Sequence, residues 1–411
     1  MTLRMTWRNL WRRKRRTLIT AATVAGGVFV AVTFTGSGDY AYTNMINTSA
    51  AMGYGQVTVE DEGYRDSPTL AHRVAGAEQA AARLRGLEGV AHAAPRIQGH
   101  AMFASAAKSV GGMFMALDPA QEKPEYNLFL RALTEGAMFT GTDGRGVVVG
   151  EKMAQKLNLR LGKKLVYTTT DAHGEIVSEV GRVVGMFKTG VDEIDGAFAL
   201  IPLGMARAAL RYGPDEATLV AVYIRDYRDA EAMRGKVAAA VPGPGRVFYT
   251  WRDTQADMAS LIAVDSGMNY LSQILVGLLI SAGILNTMFM SVIERRREFG
   301  VMLAVGLAPA RLFGMILLEA FWIGLLGLAL GVLVTTPVYL YMADTGLDLS
   351  MFVEPGADVG GVLVDPVMKF RLFPESAAGI MLGVFALTLI AGLYPAWRAA
   401  RARPVESLKT I

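Results

Sequence analysis

The chain has 411 residues, 52% of them hydrophobic and 19% charged, with a mean hydropathy of +0.32, which excludes a single soluble globule and fits a chain that is part membrane and part water-soluble. The formal net charge is +4, but the basic residues cluster beside apolar runs, where anionic lipid headgroups account for them better than nucleic acid does. With no cysteine there is no disulfide, thiol nucleophile or thiolate metal site, and His72, His92, His100 and His173 lack metal-ligand spacing.

Residues 1–16 read as a basic amphipathic element. Leu3, Trp7, Leu10 and Trp11 form one helical stripe, and Arg4, Arg8, Arg12 and Arg15 lie off it, the pattern of a helix lying in the membrane interface. Residues 17–37 are apolar and carry no Asp, Glu, Lys or Arg, long enough to cross about 30 Å of hydrocarbon as span one. A cleaved signal peptide fits this run poorly, because it exceeds the usual h-region and no small-x-small site follows.

Residues 38–267 are not membrane-like and read as a water-soluble domain. Strand–helix–strand patterns recur near its two ends. The first runs Gly55–Glu60, Val74–Arg85 and Val90–Ala104; the second runs Thr218–Arg225, Asp229–Ala240 and Arg246–Trp251. Two such units, within about 44–106 and 213–265, predict a ferredoxin-like α/β layer. The part between, about 107–212, reads as an inserted β-rich lobe. It holds a strand at Gly146–Val149, strands at Lys163–Thr170 and Glu175–Phe187 joined by a turn at Asp171–Gly174, and another at Ala197–Pro202. Asp192, Glu193 and Asp195 read as surface or loop acids, with contact to a basic partner as their alternative use.

Spans two, three and four are expected at 268–293, 312–342 and 377–397. Arg295, Arg296, Arg297 and Arg311 fall between spans two and three, and Arg398, Arg401, Arg403 and Lys409 follow span four. The 343–376 connection has Lys369 and Arg371 as its only basic residues. The positive-inside rule therefore puts both termini, the 294–311 connection and the 398–411 tail in the cytoplasm, and 38–267 and 343–376 outside it. The fold class expected is an α-helical membrane protein with four transmembrane helices and a large α+β extracytoplasmic domain. No chain of ionisable residues crosses the spans, against an ion-driven carrier. Asn286 and Thr287 read as interhelical hydrogen-bond groups. Glu319, alone among the charges in span three, reads as a helix-capping group or a partner for the 294–311 connection rather than as transport chemistry.

That connection carries the motif SVIERRREFGVMLAVGL at 291–307. Its spacing gives a charged face through Glu294, Arg297 and Glu298, with an apolar edge at Met302, Val305 and Pro309. Together with LLEAFWIGLLG in span three, the ending AGLYPAWRAARARPVESL, and looser stretches at 148–165 and 183–203, it resembles the FtsX-like permeases of lipoprotein-releasing and macrolide-exporting ABC transporters, the LolC/LolE and MacB types. Leu303 departs from the pattern, since members often carry a basic residue there. The resemblance implies that the α/β layer is a porter-like part, and that 294–306 is a coupling helix docking an ATPase. Its residues are Glu294, Arg295, Arg296, Arg297, Glu298, Phe299, Gly300, Val301, Met302 and Gly306.

The chain has no G-x-x-x-x-G-K-[ST]; Gly162-Lys163-Lys164 lacks the first glycine and the Ser/Thr. ATP and Mg are therefore expected in a partner ATPase dimer, and this chain is expected to be non-catalytic. A second permease chain, identical or homologous, membrane lipids, and a periplasmic lipoprotein carrier or adaptor are the other partners implied, in a bacterial inner membrane. The implied cargo is a lipoprotein. A MacB-like efflux substrate, or mechanical control of a periplasmic hydrolase, are the alternatives. An apolar cavity lining is expected from Val28, Val32 and Phe34 of span one and Leu271, Ile274 and Leu278 of span two.

The topology is testable because the chain has no native cysteine. Asp171→Cys should label with a membrane-impermeant maleimide once the outer membrane is opened, and Pro309→Cys should not. The reverse pattern would overturn the orientation.

Overall fold

The computed structural model describes residues 14–351 and 367–401, with the backbone alone of 358–359 and 362–363. The interfacial element expected at 1–16 and the tail expected at 398–411 lie mostly outside the described residues. The chain divides into a helical unit, 1–41 with 263–348 and 367–411, and an α/β unit, 42–262 with 349–366.

The helical unit rests on four helices long and apolar enough to cross a membrane. They are Lys14–Ser49, Ala256–Glu294, Pro309–Asp344 and Pro374–Ala400, here spans one to four. Each runs past its apolar segment, spans one and two by about a dozen residues on the side of the α/β sequence. Hydropathy reports the stretch that suits hydrocarbon. The backbone ladder continues wherever polar side chains such as Asp39 and Asn44 reach water or a partner.

Small residues set the packing. A Cβ on Gly327 would lie 2.5 Å from Val24, and one on Gly331 2.8 Å from Val28, so span three lies directly on span one. A Cβ on Gly392 would meet Ala320 at 2.7 Å, which sets span four on span three. Spans one and two meet where Ile280 covers Gly27 and where Gln273 donates to the Thr35 hydroxyl at 3.1 Å. The Ser376 hydroxyl donates to Asp39 at 3.0 Å, tying the first turn of span four to span one.

The α/β unit is organised by strands β1 (Val57–Asp61), β2 (Val74–Ala75), β3 (Val90–Ala104), β4 (Ser109–Leu117), β5 (Leu133–Gly136), β6 (Gly146–Gly150), β7 (Lys164–Thr170), β8 (Ile176–Phe187), β9 (Phe198–Pro202), β10 (Glu216–Ala217), β11 (Leu219–Ile224) and β12 (Arg246–Thr250). The order β12-β1-β11-β3 is antiparallel throughout. Taken as the strands of two strand–helix–strand units, this is the fourth, first, third and second, the ferredoxin-like arrangement expected from the sequence. Helices Ala77–Arg85 and Ala230–Ala240 bury Ala77, Ala80, Leu84, Met233 and Val237 in one core with Val57, Val59, Val220 and Val222. The alternation Val57, Val59 on β1 supplies the helix-facing side, as a period of two requires.

β3 joins this layer to the lobe. Its first half, Val90–Arg96, pairs with β11. Its second half, Ile97–Ala104, pairs with β4, and Met102–Ala104 also pair with β7. The lobe therefore begins inside a continuous strand, near residue 97 rather than 107. β4 escaped the sequence pattern because Gly111 and Gly112 interrupt it; a Cβ on Gly112 would lie 2.2 Å from the Ala197 carbonyl oxygen of the neighbouring segment.

Two acids differ from their sequence reading. Asp195 is 2% exposed and is not a surface acid. It accepts from the Thr189 amide and hydroxyl, both at 2.8 Å, and from the Gly190 amide at 3.1 Å, closing the loop ahead of helix Asp192–Ala197. Asp192 and Glu193 are exposed. Asp171 is also buried, accepting from the His173 and Glu175 amides at 2.9 Å, and so braces the β7–β8 turn. His173, exposed at the same turn, is the sounder position for the accessibility label.

Candidate functional site

The connection between spans two and three folds as a short helix on a tight bend. Span two ends at Glu294. Arg295, at φ −102° and ψ 10°, interrupts the ladder, and a new helix runs Arg296–Ala304. Gly306 ends it with φ +99°. The Gly306 amide bonds to the Leu303 carbonyl at 3.1 Å and the Leu307 amide to the Met302 carbonyl at 3.0 Å. This pair of bonds is a Schellman cap, which favours glycine because it demands a left-handed residue. Pro309 then opens span three at its first turn, where its missing N–H costs nothing.

Ion pairs hold this bend against the bundle. Arg295 reaches Glu319 of span three at 2.8 Å and Glu298 of the short helix at 3.1 Å. The Arg295 and Glu319 side chains are each 11% exposed. Burial opposes the Arg295 charge, but the Glu319 and Glu298 carboxylates together outweigh it and leave the pKa raised. The guanidinium also covers the Phe299 ring at 4.9 Å. Arg16 at the start of span one pairs with Glu294 at 3.0 Å and donates to the Thr287 carbonyl. Spans one, two and three thus converge on the bend through charged groups, and Glu319 meets the connection as its place in the sequence suggested.

The ten residues assigned to docking divide into two sets. Phe299, 2% exposed, joins a core with Ile284, Met288, Leu312 and Ile316, and Met302 packs against the same core. Gly300 is buried. Arg295, Phe299, Gly300 and Met302 therefore anchor the helix and do not face outward. A nine-residue helix on an apolar bundle must bury one stripe, and these residues occupy it. Glu294, Arg296, Arg297, Glu298, Val301 and Gly306 are exposed. Arg297, Val301 and Val305 fall at i, i+4 and i+8 on one face, with Val301 47% and Val305 84% exposed. The apolar edge is thus built from Val301 and Val305 in place of Met302. Leu303 is partly buried against the core.

The six positions assigned to a cavity also divide. Val28 and Val32 are 1% and 8% exposed and pack with Ile380, Leu328 and Val384, so they are interior contacts. Phe34, Leu271, Ile274 and Leu278 are 49–60% exposed and form the open apolar positions. Thr287 returns its hydroxyl to the Gly283 carbonyl of its own helix at 2.8 Å, and Asn286 is exposed; among the described residues neither side chain makes the interhelical bond expected of it. Among the described residues no group of acids and histidines could hold a metal ion.

The sequence matches the family described as MacB-like periplasmic core domain over residues 17–240 and FtsX-like permease C-terminal over 271–404. The first match alone covers more than half of the chain, and the chain belongs to this family: it is an ABC-transporter permease of the LolC, MacB and FtsX type. The lipoprotein-releasing system transmembrane protein LolC of Xylella fastidiosa (strain Temecula1) is 24% identical over 312 residues, 72% of each chain. The macrolide export ATP-binding/permease protein MacB of Nitrobacter winogradskyi is 25% identical over 406 residues, 96% of this chain and 58% of that one. Among solved structures, the periplasmic region of MacB from Actinobacillus actinomycetemcomitans aligns at a TM-score of 0.37 and 14% identity, covering 52% of this chain and 96% of that one.

Cysteine substitution checks the division of the short helix into two faces. Val301→Cys and Val305→Cys should react quickly with maleimide in detergent, whereas Phe299→Cys and Met302→Cys should react far more slowly. Equal rates at all four positions would contradict the assignment.

Proposed function

We propose that this chain couples ATP hydrolysis by a separate ATPase dimer, which holds the ATP and Mg, to extraction of acylated proteins from a bacterial inner membrane. A second permease chain, identical or homologous, completes the complex, and a periplasmic carrier receives the cargo. Both termini and the 294–311 connection lie in the cytoplasm. The observation that carries the reading is the short helix itself. It is braced by Arg295–Glu319 and presents Arg297, Val301 and Val305 outward. A mixed apolar and basic face on a supported helix suits a protein partner, and a braced helix passes displacement on to the spans it is tied to.

Acylated cargo explains the need for ATP. Each buried CH₂ holds an anchor in the bilayer by about 0.8 kcal/mol, so several acyl chains do not leave spontaneously. Phe34, Leu271, Ile274 and Leu278 supply apolar positions with which such chains can exchange contact. The similarity to LolC proteins favours lipoprotein release. A second reading, efflux of an amphiphile through a periplasmic adaptor, is favoured by the alignment with a MacB protein over 96% of this chain.

Photo-crosslinkers test the two readings. Placed at Phe34, Leu271, Ile274 and Leu278, they should capture a lipidated protein in the nucleotide-free complex and lose it when ATP is bound and hydrolysis is blocked. Crosslinkers at Val28 and Val32 should capture only spans three and four. Capture of a non-lipidated amphiphile at the four open positions, with no acylated protein, would replace release with efflux.

A further inference from the structure

The α/β unit contains a polar cavity of about 500 Å³ that the coupling and cargo roles leave unused. It lies where the end of the first long helix meets the ferredoxin-like sheet. Arg131 and Arg225 line it from different elements, and Glu125 lines it as well. Among the described residues, none of the three has an ion-pair partner. Two guanidiniums facing one cavity without a carboxylate partner leave fixed positive charge for a ligand to neutralise.

The neutral lining adds donors. Gln56 is consumed internally, donating to the Asn47 side-chain oxygen at 2.9 Å and accepting from the Ile224 amide at 3.2 Å. That leaves the Asn47 NH₂ as its unspent group. Tyr223 lines the cavity at 1% exposure; the Arg96 guanidinium, a donor only, meets its oxygen and leaves the O–H proton unspent. Burial pushes its phenol up to about 12, so it remains a donor at neutral pH. A buried O–H without an acceptor is costly, and a ligand oxygen would satisfy it.

The support beneath is built from buried charge. Arg96, fully buried, pairs with Glu122 at 2.7 Å. Glu122 accepts from Asn127 at 2.9 Å. Asn127 in turn caps the helix Leu128–Arg131 by accepting from the Phe129 and Leu130 amides. This chain of contacts fixes the helix that ends in Arg131.

We infer that this cavity binds a phosphate-bearing headgroup, with the phosphate on Arg131, Arg225, Asn47 and Tyr223 and a neighbouring ammonium on Glu125. The donors outnumber what one carboxylate can accept, and the single acid suits a zwitterion. The site is independent of the cargo that the spans carry. Its volume falls within the range of small-ligand sites, about 300–1,000 Å³.

Titration calorimetry on the full-length chain in phosphate-free maltoside detergent tests the site. The probes are inorganic phosphate, glycerophosphoethanolamine and acetate. Both phosphate probes should bind and acetate should not. Arg225→Ala should weaken binding about tenfold or more, the loss of one charge-assisted hydrogen bond. Glu125→Gln should weaken glycerophosphoethanolamine alone, and Lys236→Ala, on the helix Ala230–Ala240, should change neither. Tighter binding of glycerophosphoethanolamine than of phosphate supports a lipid headgroup as the ligand; the opposite order overturns the ammonium subsite and leaves free phosphate. If Arg225→Ala does not give a monodisperse folded protein, Arg131→Ala carries the same comparison. Binding of neither phosphate probe, equal binding of acetate, or wild-type affinity in the arginine variant would overturn the inference.

Discussion

An arginine and a glutamate that both leave water at the edge of an apolar bundle must find each other. Arg295 and Glu319 do so at 2.8 Å, each 11% exposed. Separated, either would be a desolvated charge with a penalty of several kcal/mol. The pair therefore acts as a constraint more than as a source of stability: it sets where the helix Arg296–Ala304 can sit. With Arg295 committed to span three, the bend after Glu294 is set, Phe299 enters the core, and Val301 and Val305 are left outside. The Schellman cap at Gly306 closes the other end of the same short helix. The outward face is thus a consequence of an inward commitment.

The α/β unit shows a similar economy. A 15-residue strand, β3, serves the ferredoxin-like layer with its first half and the lobe with its second. One backbone therefore carries hydrogen bonds for both, and the lobe needs no hinge of its own at that junction. Buried polar groups hold the loops around this frame. Asp195 closes the loop that precedes its helix, Asp171 braces the β7–β8 turn, and Glu122 holds Arg96 and Asn127 together.

Much of this was legible in the sequence. Apolar runs, three of them charge-free and the third with Glu319 alone, marked the four spans, because lipid imposes one requirement along the whole segment. The paired strand–helix–strand patterns marked the ferredoxin-like layer, because alternation along β1 and the Ala-rich helices report burial directly. Glu319 stood out as the lone charge in its span, and its partner is in the connection as expected. What was hidden depends on register and depth. The beginning of the lobe inside β3 is a pairing choice that no residue announces. Gly111 and Gly112 break the pattern of β4 for the sake of a close backbone approach. Asp195 and Asp171 look like surface acids because most of their partners are backbone amides, which carry no sequence signal. Val28 and Val32 could not be told from Phe34 by hydropathy, since lipid-facing and helix-facing apolar residues look alike in a span; Gly331, which receives Val28, lies some three hundred positions away on span three.

Amide hydrogen exchange in the full-length chain tests the central constraint most directly. If Arg295–Glu319 fixes the short helix, Glu319→Leu should speed exchange across 296–307 while the middle of spans two and three stays as protected as before. Unchanged protection of 296–307 in that variant would contradict the account, because the helix would then be held by its apolar stripe alone.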